Sequence, residues 1–204
     1  MKNIFFLLLT FGYSINAQEV LKDSTRVQNL EEVIVSSIRV DDNIPIAYNN
    51  LSKDEISDRN LGQDLPILLN FLPNVVTTSD AGAGIGYTGI RIRGINSQST
   101  NVTINGIPYN DAESNLTYWV DLPDFSSSIE NLQVQRGIGT SVNGSGAFGA
   151  SINILTDNIS QDPFFESNNT LGSYNTYKNT FRFSTGLLND VFEFSGRLSK
   201  IDSD

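Results

Sequence analysis

Acidic residues that stand in pairs are the first candidates for chemistry in this sequence. Asp111 is followed closely by Glu113, and Asp121 by Asp124. Paired carboxylates perform acid–base work in glycoside hydrolysis and, with further oxygen ligands, bind Ca²⁺. Neither pair is surrounded by the additional residues that either chemistry requires. We therefore interpret these acids as solvated loop residues, which is the usual state of carboxylates in proteins.

The absence of two residue types removes most other catalytic chemistry. The 204 residues include neither cysteine nor histidine. This excludes disulfides, zinc fingers, a thiol nucleophile, a serine–histidine triad and most transition-metal sites. We predict no catalytic residues, no metal and no cofactor, and we expect a protein that is not an enzyme.

A glycine motif at Gly84, Gly86 and Gly89 has the G-x-G-x-x-G spacing of dinucleotide-binding loops. Such a loop must open a helix, whereas the next residues, from Ile90 to Arg93, alternate between apolar and charged as a strand does. This context argues against nucleotide binding. A mobile functional loop and a simple glycine turn both fit the segment.

The charge and composition limit the class of partner. A formal net charge of −10 argues against nucleic acid, because neutralising phosphates requires a basic patch that the sequence lacks. The length of 204 residues and the apolar content of 39% are sufficient for one folded domain with a tail.

The elements that position these residues begin after an export signal. Lys2 precedes an apolar run from Ile4 to Phe11, and small residues lead to Ala17. This order is typical of a secretory signal peptide over residues 1–17, which is too short to span a membrane. A buried amino-terminal strand is the alternative.

Residues 18–44 begin as a polar segment without periodicity, which we interpret as a flexible tether. Inside it, the β-branched run Val33, Ile34 and Val35 is flanked by glutamates and serines. This run predicts a short extended strand.

Local signals predict the elements of the first folded region. The residues from Asp54 to Ser57 indicate a short helix. Leucines from Leu65 to Leu72 have the helical spacing i, i+3, i+4, i+7, and Pro73 ends the pattern. The Asn105-Gly106 pair predicts a type I′ hairpin turn.

The most specific pattern lies between Ser128 and Thr156. Two segments of alternating polarity are separated by a stretch that contains five glycines. Glycine at this density is unfavourable inside a helix or strand, so it indicates positive φ angles or close approach to another surface.

These motifs together resemble the plug domain of TonB-dependent outer-membrane receptors. The resemblance rests on I-E-x-L-x-V-x-R-G from Ile129, on the I-R-G motif from Ile92, on a P-N-V turn at Pro73 where the family has P-G-V, and on an N-G turn at Asn105 where it has D-G. It implies an α+β fold, with a mixed-sheet plug and short helices over residues 45–160. The first antiparallel hairpin of a transmembrane β-barrel would follow over residues 161–204.

The resemblance also implies a partner on the periplasmic side. Glu32, Val33, Ile34, Val35 and Ser36 would form the TonB box, an extended segment that pairs as a strand with TonB, which is driven by its inner-membrane motor. The first strand of the plug is the alternative interpretation of this segment.

Arginines in otherwise apolar strands need a partner, because an unpaired buried charge is costly. The resemblance implies that Arg93, Arg136 and Glu130 contact the barrel, the arginines through glutamates of its wall. Arginines that snorkel from the surface of a soluble sheet are the alternative.

Loops at the outer end of the plug would face the ligand. Aromatic rings beside amide and carboxylate groups suit an iron chelate, cobalamin or a glycan, since they offer stacking and hydrogen bonds together. We expect Trp119 to pack beneath the loop. The implied ligand-facing residues are Asp80, Tyr87, Tyr109, Asn110, Asp111, Glu113 and Tyr118.

The carboxyl-terminal residues alternate in polarity over two segments, from Tyr177 to Ser184 and from Phe192 to Leu198, around a turn at Leu188-Asn189-Asp190. This is the dyad pattern of transmembrane β-strands, although a soluble hairpin has it too. Two strands cannot close a barrel, so we expect a fragment of a longer receptor.

The sequence thus predicts the plug of an exported outer-membrane receptor that takes up a scarce small molecule with energy from TonB. A secreted β-rich adhesion or glycan-binding module is the alternative.

Overall fold

The computed structural model describes residues 39–40, 43–139, 143 and 146–204. The segments interpreted as a signal peptide (1–17) and as a TonB box (32–36) lie outside these residues, as does most of the tether. Within the described part of the chain, no helix is both long enough and apolar enough to cross a membrane.

The described residues form short helices and strands that alternate along the chain. The α-helices are α1 (Lys53–Ser57) and α2 (Leu65–Leu68), and the 3₁₀ helices are Ser97–Ser99, Trp119–Asp121 and Phe125–Ser128. The strands are β1 (Tyr48–Ser52), β2 (Val75–Ser79), β3 (Thr88–Ile92), β4 (Thr100–Ile104), β5 (Ile107–Pro108), β6 (Ile129–Arg136), β7 (Ala150–Thr156), β8 (Phe164–Leu171), β9 (Tyr177–Ser184) and β10 (Ser195–Asp202).

A mixed sheet of five strands, in the order β1-β6-β7-β4-β5, forms the centre of the fold. β6 pairs antiparallel with β7, as the alternation around the glycine-rich segment predicts, and β7 pairs parallel with β4. One face of this sheet is apolar and fully buried at Leu132, Val134, Ile152 and Ile154. Both α-helices and the β2–β3 hairpin contribute side chains to the same core, and removing these groups from water drives their packing.

The opposite face of the same sheet is polar and is also buried. Gln133 and Gln135 of β6 are 1% and 0% exposed. The Gln133 carboxamide accepts a hydrogen bond from the Val40 N–H and donates one to the Val40 carbonyl, each at 2.9 Å. Gln135 donates to Gln133, and Asn143 donates to Gln135, each at 2.9 Å. The polar positions of β6 therefore do not face solvent, because Val40 and Asn143 cover them.

The two α-helices differ in how closely they follow the sequence pattern. α1 confirms the short helix expected from Asp54 to Ser57, and it begins with a capping box formed by Ser52 and Glu55. α2 ends at Leu68 and is shorter than the leucine spacing predicts. The leucine pattern continues to Leu72, but the backbone there forms turns, in which the Asn70 N–H donates to the Ile67 carbonyl at 3.2 Å and the Leu72 N–H donates to the Leu69 carbonyl at 3.0 Å.

Positive φ angles confirm two predicted turns. Asn74 has a φ of 62°, and Asn105 and Gly106 have φ angles of 49° and 82°. The left-handed conformation at both central residues is the signature of a type I′ turn. The Asn105 carboxamide also ties this hairpin to β7, because it donates to Thr156 Oγ1 at 2.8 Å and accepts from the Thr156 N–H at 3.0 Å.

A second, antiparallel sheet with the order β10-β9-β8 follows along the chain. β10 begins at Ser195 rather than at the predicted Phe192, and it ends at Asp202 rather than at Leu198. The alternation predicts β9 and the turn between β9 and β10, where Asn189 and Asp190 have φ angles of 53° and 56°. It does not predict β8, so the expectation of two strands is wrong and the structure has three. This strand has the sequence FFESNNTL, whose central residues are polar on both faces and hide the alternation.

The second sheet buries polar residues on one side and exposes aromatic residues on the other. On β9, Lys178 and Thr180 are 3% and 1% exposed, whereas Tyr177 and Phe181 are 51% and 44% exposed. The side with Lys178 and Thr180 therefore packs against Asp124 in the preceding part of the chain, and the side with Tyr177 and Phe181 points outward. A mixed sheet with short helices followed by these strands confirms the expected α+β architecture.

Candidate functional site

A surface cavity of about 240 Å³ lies between the β2–β3 hairpin and the loop that leads to the Trp119–Asp121 helix. It brings together Asp80, Tyr87 and Tyr118, three of the residues expected to face a ligand. Tyr87 and Tyr118 are 69% and 43% exposed, and Trp119 is 3% exposed. The tryptophan therefore packs beneath the loop, as expected, and forms part of the cavity wall.

The groups that line this cavity are suited to binding. The tyrosines offer ring faces and hydroxyls, Asp80 offers a carboxylate, and Ser97 and Thr117 add hydroxyls. Together they can hold a ligand that has a flat or apolar surface and polar substituents. Across the part of the chain that the structure describes, no group of three or more acidic, histidine or cysteine side chains could hold a metal ion.

Glycines shape the tip of the β2–β3 hairpin, which forms one wall of the cavity. Gly82, Gly84 and Gly86 have φ angles of 78°, 77° and 92°, a conformation that other residues rarely adopt. The tip leads directly into β3 rather than into a helix whose N-terminus could bind a phosphate. The geometry agrees with the argument against nucleotide binding.

Two of the residues expected to face the ligand, Asn110 and Asp111, also hydrogen-bond within the neighbouring loop. The Asn110 carboxamide accepts from the Val102 N–H at 2.7 Å and donates to the Asn115 carbonyl at 2.9 Å. Asp111 Oδ2 accepts from the hydroxyl and the N–H of Ser114, both at 2.7 Å, and these hydrogen bonds lower the Asp111 pKa. Both side chains therefore stabilise the conformation of this loop.

The last two residues expected to face the ligand differ in accessibility. Tyr109 is partly buried and packs against the hydrophobic core. Glu113 is exposed to solvent. Tyr109 therefore supports the loop from below, while Glu113 is accessible from outside.

Arg93 and Arg136 lie beside the turn at Pro73 and Asn74. Arg136 Nη1 donates to the Pro73 carbonyl at 3.2 Å, and the Arg93 N–H donates to the Asn74 carbonyl at 2.8 Å. Gly137 follows Arg136 with a φ of 95°, a backbone conformation that favours glycine. Within the described residues neither arginine forms an ion pair, and their contact with barrel glutamates stays a prediction.

A row of ion pairs connects Glu130 to the second sheet. Lys53 Nζ lies 3.1 Å from Glu130 and 2.7 Å from Asp157, and Arg182 lies 2.6 Å from Asp157 and 3.1 Å from Glu166. Burial alone would lower the Lys53 pKa, but its hydrogen bonds to Asp157 and Glu130 raise it. Apart from Arg182, these side chains are 29% to 46% exposed, so solvent screens the pairs and each contributes little stability.

Asp124 is the functional candidate that sequence reasoning missed. Its interpretation as a solvated loop acid is wrong, because its side chain is 2% exposed and lies against β9 and β10. Lys178 Nζ is 2.6 Å away and Arg197 Nη1 is 3.0 Å away. The hydroxyls of Thr180, at 2.9 Å, and of Ser199 also donate hydrogen bonds to the carboxylate.

These donors outweigh the cost of burying Asp124. Burial alone would raise the Asp124 pKa, but hydrogen bonds from Lys178, Ser127 and Ser199 lower it. Lys178 is itself 3% exposed and donates a further hydrogen bond to Asn60 Oδ1 at 3.0 Å. The available signal in the sequence is a lysine on the polar side of β9, and spacing alone does not identify its partner.

Comparison with known proteins adds family relationships to this geometry. Residues 40–151 match the family described as TonB-dependent Receptor Plug Domain. The sequence is 30% identical to the vitamin B12 transporter BtuB of Vibrio vulnificus over 97% of this chain. Solved structures with a similar fold include the ferric yersiniabactin uptake receptor FyuA of Yersinia pestis (17% identity, TM-score 0.56) and the ferripyoverdine receptor of the outer membrane of Pseudomonas aeruginosa (15% identity, TM-score 0.60).

The relatives are longer than this chain. The chain spans 31% of the length of the B12 transporter. The two receptor structures match 76% and 79% of this chain, which corresponds to 24% and 21% of their own lengths. By name, these relatives are a transporter and receptors rather than enzymes.

Proposed function

This chain belongs to the TonB-dependent receptor plug domain family, and on that premise we propose that it is the plug and the first barrel strands of an outer-membrane receptor for a scarce small molecule. In this proposal the protein binds its ligand and admits it to the periplasm without a chemical step. The alternative of a secreted adhesion or glycan-binding module has no support among the relatives.

The cavity at Asp80, Tyr87 and Tyr118 is the observation that carries the proposal. Two exposed aromatic rings beside a carboxylate suit a large ligand that combines flat surface with polar groups. Cobalamin and iron–siderophore complexes are ligands of this kind. The 30% identity to a B12 transporter and the fold shared with a ferripyoverdine receptor favour these two ligand classes.

We assign β8, β9 and β10 to the barrel wall. Phe165, Phe181 and Leu198 lie on the same outward side of neighbouring strands and are 71%, 44% and 73% exposed. This exposed apolar patch suits lipid, and the polar inner face suits contact with a plug. Residues 45–160 then form the plug and residues 161–204 begin the barrel, which supports location in the outer membrane.

The proposed energy source is TonB. Residues 1–17 would direct export, and the tether over residues 18–44 would carry the TonB box at positions 32–36. Strand pairing between this box and TonB would transmit force from the inner-membrane motor to the plug.

Ligand binding to cells that express the full-length protein tests the proposed site. Cyanocobalamin and ferric siderophores are the probes. Tyr87→Ala and Tyr118→Ala should each weaken binding of the ligand that the parent protein binds by roughly three- to tenfold, through loss of aromatic contact.

The matched control is Tyr177→Ala, whose side chain lies on the outward side of β9 and away from the cavity. It should leave the affinity unchanged. If both cavity variants reach the surface in normal amounts and bind like the parent protein, the ligand site is elsewhere.

A further inference from the structure

Asp64 stands at the N-terminus of α2 but does not cap this helix. An aspartate in this position normally accepts a hydrogen bond from a backbone N–H of the first turn. Here the side chain makes no such bond, although the residue is 4% exposed. The Asp64 carboxylate therefore serves a part of the structure other than its own helix.

The Asp64 carboxylate binds the tip of the β2–β3 hairpin. Thr88 Oγ1 donates to Asp64 Oδ2 at 2.8 Å, and the Gly86 backbone donates a second hydrogen bond. In addition, the Asp64 N–H donates to the Gly84 carbonyl at 2.9 Å. One residue outside the hairpin thus holds three residues within it.

Tyr87 is the residue that lies between two of these contacts. Asp64 holds Gly86 on one side of it and Thr88 on the other, and the Tyr87 carbonyl accepts from the Asp80 N–H at 3.1 Å. Tyr87 and Asp80 both line the cavity. The backbone around Tyr87 is therefore held in place although its ring is exposed.

Close packing at Gly84 keeps the hairpin tip against α2. A β-carbon at Gly84 would lie 3.3 Å from Gln63 Cγ and from Ile67 Cγ1, which is tight for a larger residue. The Gly84 N–H donates to Ser79 Oγ at 3.0 Å. A larger residue would therefore require Gln63 and Ile67 to shift by a few tenths of an ångström, and the φ of 77° at Gly84 also favours glycine.

The burial of Asp64 has a cost that only its contacts with the hairpin offset. Burial raises the Asp64 pKa, and the hydrogen bonds from Thr88 and Gly86 oppose that rise. None of the ion pairs found among the described residues includes Asp64, so the carboxylate relies on neutral donors. A buried carboxylate without a cation is unfavourable, so its hydrogen bonds must offset part of the free-energy cost of removing it from water.

We propose that Asp64 is the positioning residue of the ligand-facing hairpin, and that it fixes Gly86 and Thr88 so that Tyr87 is presented to the cavity in one orientation. The inference rests on the proposed function in one respect, which is that the cavity is the ligand site. The geometric part can be tested without any ligand.

A spin label at position 87 of the full-length protein measures this positioning. The chain has no cysteine of its own, so Tyr87→Cys provides a single attachment point within it. Asp64→Ala and Thr88→Val should each raise the mobile population of the label about tenfold, the ratio expected for loss of a hydrogen bond to a charged group. Asp64→Asn should stay near the parent value, because its amide oxygen still accepts from Thr88.

Two comparisons separate positioning from general loosening. A label at Ile107→Cys, on the separate β4–β5 hairpin, should not change in any of these variants. The double variant Asp64→Ala/Thr88→Val should add nothing to Asp64→Ala, because both changes remove the same contact. Unchanged mobility at position 87 in Asp64→Ala, or an equal rise at position 107, would overturn the proposal.

Cyanocobalamin binding by unlabelled protein distinguishes this proposal from the proposed function. Weaker binding by Asp64→Ala, with recovery in Asp64→Asn, supports both. A mobile label in a protein whose parent does not bind cyanocobalamin contradicts cobalamin as the ligand and supports the role of Asp64. An immobile label in a protein that binds normally overturns the role of Asp64 and leaves the ligand site intact.

Discussion

Two buried aspartates, Asp124 and Asp64, have different partners and different structural roles. Asp124 faces the cations Lys178 and Arg197, and its pKa is lowered. Asp64 receives hydrogen bonds from neutral donors, and burial raises its pKa. The first carboxylate therefore stabilises the contact between the plug and the strands that follow it. The second costs stability at neutral pH and shapes a loop.

The variant Asp124→Asn tests the first of these roles. It should lower the free energy of unfolding by about 3–5 kcal/mol, because Lys178 would remain buried without a counter-charge. The stabilisation by Asp124 is present above its ordinary pKa of 3.8 and is lost as the pH falls through the lowered pKa of the folded state. Thermal unfolding of the full-length protein across acidic and neutral pH measures both effects.

Glu130→Gln is the matched control for this experiment. Glu130 is 36% exposed in its pair with Lys53, so its loss should change the free energy of unfolding by less than about 1 kcal/mol. Equal destabilisation by the two variants, or the same acid dependence in Asp124→Asn as in the parent protein, would contradict the role given to Asp124.

The residues of the cavity could be found from the sequence, whereas Asp124 could not. Tyr87 and Tyr118 stand in polar, glycine-rich or acidic loops, and this local composition indicates exposure. The hydrogen bonds that Asp124 receives from Thr180 and Arg197 span 56 and 73 residues. No local pattern reveals such distant partners, so the usual exposure of acidic residues led to a wrong prediction for Asp124.

Secondary-structure elements were predictable where one physical signal dominated. Alternation identified β6, β7 and β9, and asparagine before glycine identified the β4–β5 turn. Prediction failed where the local signal was incomplete: the leucine spacing does not mark the end of α2 at Leu68, and polar residues on both faces concealed β8. It also did not reveal that the polar side of β6 is covered by Val40.

The contact between Gln133 and Val40 gives a prediction for the central sheet. In Gln133→Glu the new side chain can accept from the Val40 N–H but cannot donate to the Val40 carbonyl. An unsatisfied carbonyl and a buried charge should weaken the contact by about 1–3 kcal/mol, which should speed amide hydrogen exchange at Val40 roughly five- to 150-fold.

Gln98→Glu makes the same chemical change at an exposed position and should leave exchange at Val40 unaltered. If Val40 exchanges at the parental rate in Gln133→Glu, then its protection comes from neighbouring structure rather than from the carboxamide.

On the scale of the whole molecule, two kinds of contact join the plug to the strands of the second sheet. The contact at Asp124 is buried and fully hydrogen-bonded, whereas the ion pairs around Asp157 are partly exposed. The family resemblance predicted a plug followed by barrel strands, but not which side chains connect them. The contacts predicted for Arg93 and Arg136 involve partners outside the described residues.

Transport by the full-length protein tests the proposed TonB box. Ile34→Pro should abolish energised uptake and spare binding at the cell surface, because proline cannot donate a backbone hydrogen bond to a TonB strand. The measurement compares the ligand accumulated inside energised cells with the ligand bound by cells that are held at about 4 °C or deprived of metabolic energy. The difference between the two amounts separates uptake from binding at the surface.

Val27→Pro, in the polar tether and outside the box, is the matched control and should transport normally. Normal uptake by Ile34→Pro would contradict the box, and loss of uptake in both variants would indicate that the whole tether, rather than these five positions, is required.

The polar underside of the central sheet has a consequence for solubility. The face beneath Val40 is lined by carboxamides and hydroxyls, including Gln133, Gln135 and Ser151. If the segment at Val40 were displaced, water could replace its hydrogen bonds with the sheet, and little apolar surface would be exposed there. Displacement of this segment would therefore not create a surface that favours aggregation.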